Sequence, residues 1–291
     1  ALYESKGDFN NALSYHLKAL RIFEEVLGVK HPSTATSYDN LGVLYESMGD
    51  FDNALKYSLN ALKIFEEVLG VNHPDTAASY NNLGLLYKSK GDFDNALNYC
   101  LKALKIFEEI LGANHPSTAT SYNNLGAIYE SMGDFDNALS YHFKSLKIRE
   151  EVLGVNHPDT ASSYNNLGSL YKSKGDLDDA LTYYLKDLKI CEEVLGVNHP
   201  DTATSYNNLG LLYESKGDFD NALTYSLKAL KIREEVLGFN HPSTATSYNN
   251  LGSLYKSMGD FDNALTYSSK ASKIREEVLE VKHSNFSNRK S

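Results

Sequence analysis

The chain has 291 residues, 42% of them apolar, and a formal net charge of -10 at pH 7. This length allows a large buried core, but the acidic balance argues against binding to nucleic acid or to an anionic membrane surface, since both need clustered Lys and Arg. No apolar run reaches the roughly 18 residues of a membrane-spanning helix, and no charged-then-apolar leader opens the sequence.

A His-Pro pair recurs along the chain at a constant spacing of 42 residues. The six pairs begin at His31, His73, His115, His157, His199 and His241. A period of this size is typical of stacked units, none of which can bury its apolar face alone. We therefore divide the chain into a partial unit at 1–30, six complete units at 31–72, 73–114, 115–156, 157–198, 199–240 and 241–282, and a tail at 283–291.

The first part of each unit predicts an amphipathic helix, which we name helix A. In the first complete unit Tyr38, Leu41 and Tyr45 recur at the spacing of one helix face. Pro32 suits the first helical turn, and Gly49 is predicted to end the helix in a left-handed conformation.

The start of helix A carries candidate capping groups. Ser33 and Thr34 are predicted to supply the capping oxygens, as are Asp75 and Thr76 in the next unit. His31 and its counterparts are interpreted as turn residues that precede proline. One His per unit places neighbouring imidazoles a whole repeat apart, too far for bonds of roughly 2 Å to one metal ion.

A second helix, helix B, is predicted to follow, with Asp50 as its N-cap and Gly70 as its end. Gly42 in helix A and Ala54 in helix B recur in every complete unit. Because Gly inside a helix costs about 1 kcal/mol relative to Ala, its recurrence indicates that helices A and B approach closely at this point. The residues of helix B predicted to face inward are Phe51, Ala54, Leu55, Ala61, Leu62, Val68 and Leu69.

The order of these residues resembles the tetratricopeptide repeat pattern over nearly the whole chain. The resemblance rests on Tyr38, Leu41, Gly42, Tyr45, Gly49, Phe51, Ala54 and Ala61. The long unit is similar to the repeats of kinesin light chains, most closely at 206–209 and 230–238. The resemblance implies an all-α fold, namely a right-handed α-α superhelix (solenoid) of tandem antiparallel helix hairpins.

Two features depart from the family pattern. Sustained heptads, which join kinesin light chains to the heavy chain, do not occur, so the chain is not identified as a kinesin subunit. The middle of helix B, where the family has an aromatic or large residue, varies from unit to unit, which predicts looser packing there. The residues at this position are His16, Ser58, Cys100, His142, Tyr184, Ser226 and Ser268.

Helix A has a second face, which in tetratricopeptide arrays lines the concave groove. At about 100° per residue this face falls away from the tyrosine stripe, and its residues form three columns along the chain. The amide column is Asp39, Asn81, Asn123, Asn165, Asn207 and Asn249; the central column is Val43, Leu85, Ala127, Ser169, Leu211 and Ser253; the charge column is Glu46, Lys88, Glu130, Lys172, Glu214 and Lys256. We predict that all three bind a partner.

The amide and charge columns, with a neighbouring column, are open to functional and structural interpretations. The amide column offers donors and acceptors that could bracket the peptide groups of an extended ligand. The charge column alternates in sign, so it predicts either a groove without one dominant charge or a solvated face with cross-repeat ion pairs. A neighbouring second amide column is interpreted as bonding between repeats; it comprises Asn40, Asn82, Asn124, Asn166, Asn208 and Asn250.

The sequence carries no pattern for catalysis. A nucleophile elbow, a phosphate-binding loop and an HExxH metal site are all missing. The only two cysteines, Cys100 and Cys191, fall at different positions of their units, which predicts neither a disulfide framework nor a metal cluster. We therefore expect no enzyme activity, no cofactor and no bound metal, and a reducing, cytoplasmic location.

These observations predict a protein-protein interaction scaffold that binds a peptide or helical segment of a partner in the concave groove. Two alternatives stay open. The chain begins within a unit, so it could be the regulatory array of a longer signalling or catalytic protein, or it could be a self-assembling structural element. Partners are expected to be proteins or peptides.

The two ends of the repeat array are expected to differ. Ser269 and Ser272 replace leucines in the last helix B, which predicts a polar C-terminal cap. At the N-terminus no such change occurs, so we expect fraying or end-to-end self-association there. The N-terminal residues that keep the core pattern are Leu2, Tyr3, Leu13, Leu17 and Leu20.

Overall fold

A computed structural model describes residues 7–287 of the chain, with side chains described up to residue 276. Within that part every regular element is helical: thirteen α-helices and one π-helical turn, with no strand. The predicted all-α fold is confirmed for these residues. Two compact units divide the chain, with the boundary inside the eighth helix.

The first compact unit runs from Asp8 to Leu170. Helices of type A and type B alternate along it. Its helices are α1 (Phe9–Leu27), α2 (Pro32–Ser47), α3 (Phe51–Val68), α4 (Pro74–Ser89), α5 (Phe93–Ile110), α6 (Pro116–Ser131), α7 (Phe135–Val152) and most of α8 (Pro158–Lys174).

The second compact unit begins at Tyr171. After the end of α8 it contains α9 (Leu177–Ile190), a π-helical turn (Cys191–Leu195), α10 (Pro200–Ser215), α11 (Phe219–Val236), α12 (Pro242–Ser257) and α13 (Phe261–Ser287). The π turn ends helix B of one unit only. In that unit the buried Asp187 occupies the position that Ala61 has in the first complete unit. Cys191 Sγ donates to Asp187 Oδ1 at 3.5 Å.

Helix A begins at a histidine cap. His31 has extended backbone angles, and its Nδ1 accepts the Ser33 N–H at 3.1 Å. The same bond recurs in all five later units, and Pro follows each histidine at the first helical position. The prediction that Ser33 and Thr34 cap the helix is therefore wrong. The Thr34 hydroxyl donates instead to the Gly28 carbonyl at 2.9 Å and ties helix A to the preceding turn.

Glycine and aspartate make the turn between helices A and B. Gly49 has φ +76°, a left-handed conformation that L side chains disfavour, and the Asp50 N–H bonds the Tyr45 carbonyl at 2.9 Å. Asp50 then caps helix B, because its Oδ1 accepts the Asn53 N–H at 3.2 Å and its Oδ2 accepts the Asn53 amide at 2.7 Å. Gly70, with φ +92°, follows helix B and its αR C-cap. The predicted cap and stops are confirmed.

Helices A and B meet at the glycine of helix A. A Cβ on Gly42 would lie 3.3 Å from the Ala54 carbonyl oxygen, and one on Gly126 would lie only 2.7 Å from the His142 ring. The close approach predicted from Gly42 and Ala54 is confirmed. The mid-helix-B residue lies against this glycine in five of the complete units and is buried at Ser58, Cys100, His142, Tyr184 and Ser226, but it is half-buried at His16 and exposed at Ser268. The expectation of looser packing stays a prediction.

The core lies between helix A and helix B of each unit and continues to the helices of the next unit. Leu41 and Ala54 are fully buried, and so are their counterparts in most later units. Of the residues of helix B predicted to face inward, Val68 is the exception, with an exposed fraction of 45%. It lies one residue before the C-cap of α3, where the helix ends beside an open turn.

Tyrosines add a second layer of contacts. Tyr57 of helix B stacks on Tyr45 with ring centroids 5.3 Å apart and lies 6.0 Å from Tyr38. The Tyr38 hydroxyl donates to Glu24 of the preceding helix B at 2.5 Å, and burial together with this carboxylate raises the pKa of Tyr38 to about 12. The same Tyr–Glu pair recurs in the later units, so each helix A is bonded to the helix before it.

The described end residues only partly match the expectations for the ends. Leu13 and Leu20 of α1 are buried and Leu17 is half-buried, whereas Leu2 and Tyr3 lie outside the described residues. In α13 the predicted cap residues Ser269 and Ser272 are exposed, and so are two large apolar side chains, Phe261 and Leu265. The differing ends, fraying and end-to-end self-association stay predictions.

The glycine contact yields a stability prediction. Gly126→Leu places a side chain where the His142 ring already lies, so we expect the free energy of unfolding to fall by about 1–3 kcal/mol through overpacking. Chemical denaturation measures the change. The control is Thr120→Leu, at an exposed position of the same helix, which should change stability by no more than about 0.5 kcal/mol. Equal effects of the two variants would contradict the packing argument.

Candidate functional site

The face of helix A opposite the core is open to solvent along a narrow strip. In α2 the strip consists of Thr36, Asn40, Val43 and Ser47, all exposed. Their spacing of four, three and four residues follows one side of a helix. The equivalent strip in later units is also small and uncharged, with Leu85, Ala127, Ser169, Leu211 and Ser253 in the place of Val43.

The amide column lies mostly beneath this strip. Asp39, Asn81 and Asn207 are buried, Asn123 and Asn165 are half-buried, and Asn249 is exposed. Polar atoms of Asp39, Asn81, Asn123 and Asn207 bond to helix A of the next unit. Ser79 Oγ donates to Asp39 Oδ1 at 3.3 Å, and the Asn81 amide donates to Ser121 Oγ at 2.8 Å.

Members of the second amide column donate further bonds to the amide column of the preceding unit, as the sequence predicted. The Asn82 amide donates to Asp39 Oδ2 at 3.4 Å, Asn166 donates to Asn123 Oδ1 at 2.7 Å, and Asn250 donates to Asn207 Oδ1 at 2.9 Å. The two columns thus form a ladder between successive A helices, which we name the amide ladder. Ligand binding by the amide column stays a prediction, and the ladder gives the same side chains a structural role.

The central column is accessible. Val43 has an exposed fraction of 49%, Ser253 is exposed, and the four residues between them in the column are half-buried. These side chains vary among Val, Leu, Ala and Ser from unit to unit. A partner lying on the strip would therefore meet small apolar patches separated by hydroxyl groups.

The charge column borders the strip. All its members are half-buried except Lys256, which is exposed. Serine hydroxyls of the following unit hold its glutamates: Ser89 Oγ donates to Glu46 at 2.7 Å, and Ser257 Oγ donates to Glu214 at 3.0 Å. Burial lowers the pKa of Lys172, and the nearby Glu214 carboxylate acts against that change.

A buried imidazole lies under the strip in the third complete unit. His142 Nδ1 lies 3.2 Å from Asn123 Oδ1, and its side chain is almost fully buried. Burial, with smaller effects from the Arg149 and Lys88 cations, lowers its pKa to about 4. His142 is therefore neutral at pH 7 and serves as a packing residue.

The histidines that precede proline have their Nδ1 atoms engaged in capping helix A. Across the residues that the structure describes, no three His, Cys, Asp or Glu side chains gather closely enough to hold a metal ion. Nor does any described helix combine the length and apolarity needed to cross a membrane.

Sequence reasoning missed two buried arginines. Arg149 donates to Ser163 Oγ at 2.8 Å and to the Asp159 carbonyl at 2.9 Å, and Arg233 donates to Ser247 Oγ at 2.8 Å. Burial lowers the pKa of both guanidinium groups. A comparison of the units could have revealed these buried arginines, because Arg149 and Arg233 occupy the position of the buried Phe65.

A family comparison agrees with this geometry. The family described as tetratricopeptide repeat matches the chain in overlapping segments at residues 1–57, 44–99, 84–151, 125–186, 171–235 and 211–277. Among curated proteins, none matches the sequence.

Several solved structures share the fold. BtubC (BKLC) from P. vanneervenii is 25% identical, with a TM-score of 0.64 over 79% of this chain and 92% of that one. A Podosopora anserina protein with nearly identical TPR-like repeats, described as a candidate kinesin light chain, is 22% identical, with a TM-score of 0.58 over 70% and 97%. The apo form of RapI is 18% identical, with a TM-score of 0.68 over 96% and 97%. The predicted fold, a solenoid of tandem helix hairpins, is confirmed.

The amide ladder yields a prediction at Asn123. Asn123→Ala removes the acceptor of the Asn166 amide and the partner of His142, so the free energy of unfolding should fall by about 1–3 kcal/mol. Asn249→Ala, at the exposed end of the same column, is the matched control and should have little effect. A thermal melt of each variant gives the comparison, and a similar loss in both would argue against the ladder.

The single acid of the amide column predicts a pH dependence. Burial raises the pKa of Asp39 from 3.8 to about 7, against the opposing bonds from Asn82 and Ser79. Between about pH 4 and pH 7 the folded chain holds a proton that the unfolded chain releases, so stability falls as the pH rises through this interval. Asp39→Asn should abolish that fall and stabilise the chain at pH 8 by roughly 1–4 kcal/mol.

The control for this prediction is Asp52→Asn, at an exposed position of α3 in the same unit. Denaturation midpoints measured from pH 4 to pH 8 should show the altered slope in Asp39→Asn alone. If the slope of Asp39→Asn equals that of the unaltered chain, the buried carboxyl is not the source of the dependence.

Proposed function

Because the chain belongs to the tetratricopeptide repeat family, we propose that it is a protein-interaction scaffold that holds a segment of a partner along the exposed strips of its A helices. The observation that supports this proposal is the strip itself, since small uncharged residues recur at the same positions of every complete unit. Proteins of this family generally bind proteins or peptides.

The chemistry of the strip suits a peptide backbone. Hydroxyls such as those of Thr36 and Ser47 donate to carbonyls of their own helix at 3.1 Å and retain oxygen lone pairs that accept hydrogen bonds. Between these hydroxyls, side chains such as Val43 and Leu85 offer apolar contact to the partner. In this proposal the central and charge columns touch the partner. The amide column fixes the angle between successive A helices and adds contacts only at its less buried members.

We also propose that the partner is a protein or peptide and that the chain works in a reducing compartment. With a net charge of -10, a protein or peptide is favoured over a nucleic acid or an anionic membrane. The free, buried thiols of Cys100 and Cys191 support a reducing compartment such as the cytoplasm. A scaffold of this kind binds its partner without chemical change, so we propose no catalytic residue and no cofactor.

A matched pair of substitutions tests the strip. Leu85→Glu changes the half-buried central column of α4, and Leu101→Glu makes the same change on α5 at a residue with a 42% exposed fraction. Peptides are selected from a random displayed library on the unaltered full chain, and their affinities for the three proteins are then compared. We expect Leu85→Glu to weaken binding by about tenfold or more, and Leu101→Glu to leave it within about twofold.

Thermal melts of both variants establish that each is folded. Selected peptides that lose affinity for Leu101→Glu but not for Leu85→Glu would place the binding surface on helix B and contradict the proposal. Failure to select any peptide would also count against it.

A further inference from the structure

We propose that the strip of the first compact unit selects an extended peptide in the polyproline II conformation, whose charges alternate in sign at every third residue. This inference rests on the proposed function and adds the chemistry of the ligand. Its recognition elements are Glu46, Lys88 and Glu130, which occupy one position in three successive A helices. The matching ligand has a cation, an anion and a cation at positions i, i+3 and i+6.

The spacing of the A helices sets the spacing of the charges. Bonds between side chains join α2 to α4, as from Ser89 to Glu46 at 2.7 Å, and join α4 to α6, as from Asn81 to Ser121 at 2.8 Å. Helices in such contact have axes roughly 8–10 Å apart. A polyproline II segment rises about 3.1 Å per residue and completes a turn in three residues, so its side chains return to one face about every 9.3 Å.

Other backbone conformations fit less well. In a β-strand, residues i and i+3 point to opposite faces, so only every second charge of the ligand would reach the column. An α-helix returns a side chain to one face about every 5.4 Å, which is less than the separation of the A helices, and its own carbonyls and N–H groups are already bonded, so it needs an apolar groove. The strip instead offers amides and hydroxyls at Asn40, Ser47 and Thr36, which suit a backbone without internal hydrogen bonds.

The three charges are partly enclosed, and the two glutamates also accept hydrogen bonds. Glu46, Lys88 and Glu130 are all half-buried, and Ser89 and Ser169 donate to the two glutamates. The Lys88 cation lies close enough to the thiol of Cys100 and to the imidazole of His142 to favour lower pKa values in both groups, although burial has the larger effect on each. A like charge of the ligand opposite one of these half-buried charges weakens binding.

The second compact unit has the opposite order, with Lys172, Glu214 and Lys256 at the same position. A ligand for that unit therefore carries an anion, a cation and an anion. The two units provide an internal comparison, because a substitution in one leaves the charges of the other unchanged.

Three fluorescent peptides test the inference with the full chain. The first is Lys-Pro-Pro-Glu-Pro-Pro-Lys, the second has Lys at all three charged positions, and the third is Glu-Pro-Pro-Lys-Pro-Pro-Glu. Proline holds each peptide in the polyproline II conformation. Affinities are measured by fluorescence anisotropy at low salt, for the unaltered chain, for Lys88→Glu, and for the control Lys90→Glu, which makes the same change at an exposed residue beyond the end of α4.

The unaltered chain is expected to bind the first and third peptides about tenfold more tightly than the second. Lys88→Glu should weaken the first peptide about tenfold, strengthen the all-lysine peptide and leave the third unchanged, whereas Lys90→Glu should change none of them.

Equal affinities for the three peptides, or no response of the first peptide to Lys88→Glu, would overturn the inference. So would failure of the unaltered chain to bind the first peptide at millimolar concentration. The library selection with Leu85→Glu decides the proposed function separately, since it makes no assumption about charge or conformation.

Discussion

The structure depends on the contact between the glycine of helix A and the middle of helix B. Gly42 and its counterparts bring the two helices together. A side chain at Gly42 would collide with Ser58 and crowd the Ala54 carbonyl. This contact fixes which side of helix A is buried. The tyrosines, the buried leucines and the exposed strip all take their directions from it, so a face available to a partner is a consequence of packing on the opposite side.

Most of this fold could be predicted from the sequence because its signals are local and repeated. The spacing of Tyr38, Leu41 and Tyr45, the turn at Gly49 and the cap at Asp50 each depend on a few neighbouring residues. The cap of helix A was misjudged because serine and threonine are common caps, whereas the His31 imidazole reaches the same N–H only when the backbone before Pro32 is extended.

The candidate site was harder to predict because exposure on helix A depends on the next repeat. Asp39 and Asn40 are adjacent in sequence, yet the first is buried and the second is exposed. A rotation of about 100° per residue separates the two faces, but it does not reveal how deeply the following helix covers one of them. The sequence indicated that Asn82 and its column bond between repeats, but not that their acceptors would be Asp39 and its column, because a contact one repeat away depends on how the helices stack.

The range of the inter-repeat bonds has a consequence for how such a chain changes in length. The ladder and the Tyr38–Glu24 pair join each unit only to its immediate neighbours, through side chains that mostly recur 42 residues later. Removing one whole unit at a His-Pro boundary would join ends that offer nearly the same donors and acceptors. Unequal recombination between the repeated stretches of the gene can therefore lengthen or shorten the array in steps of one unit, and each product inherits a nearly complete set of contacts.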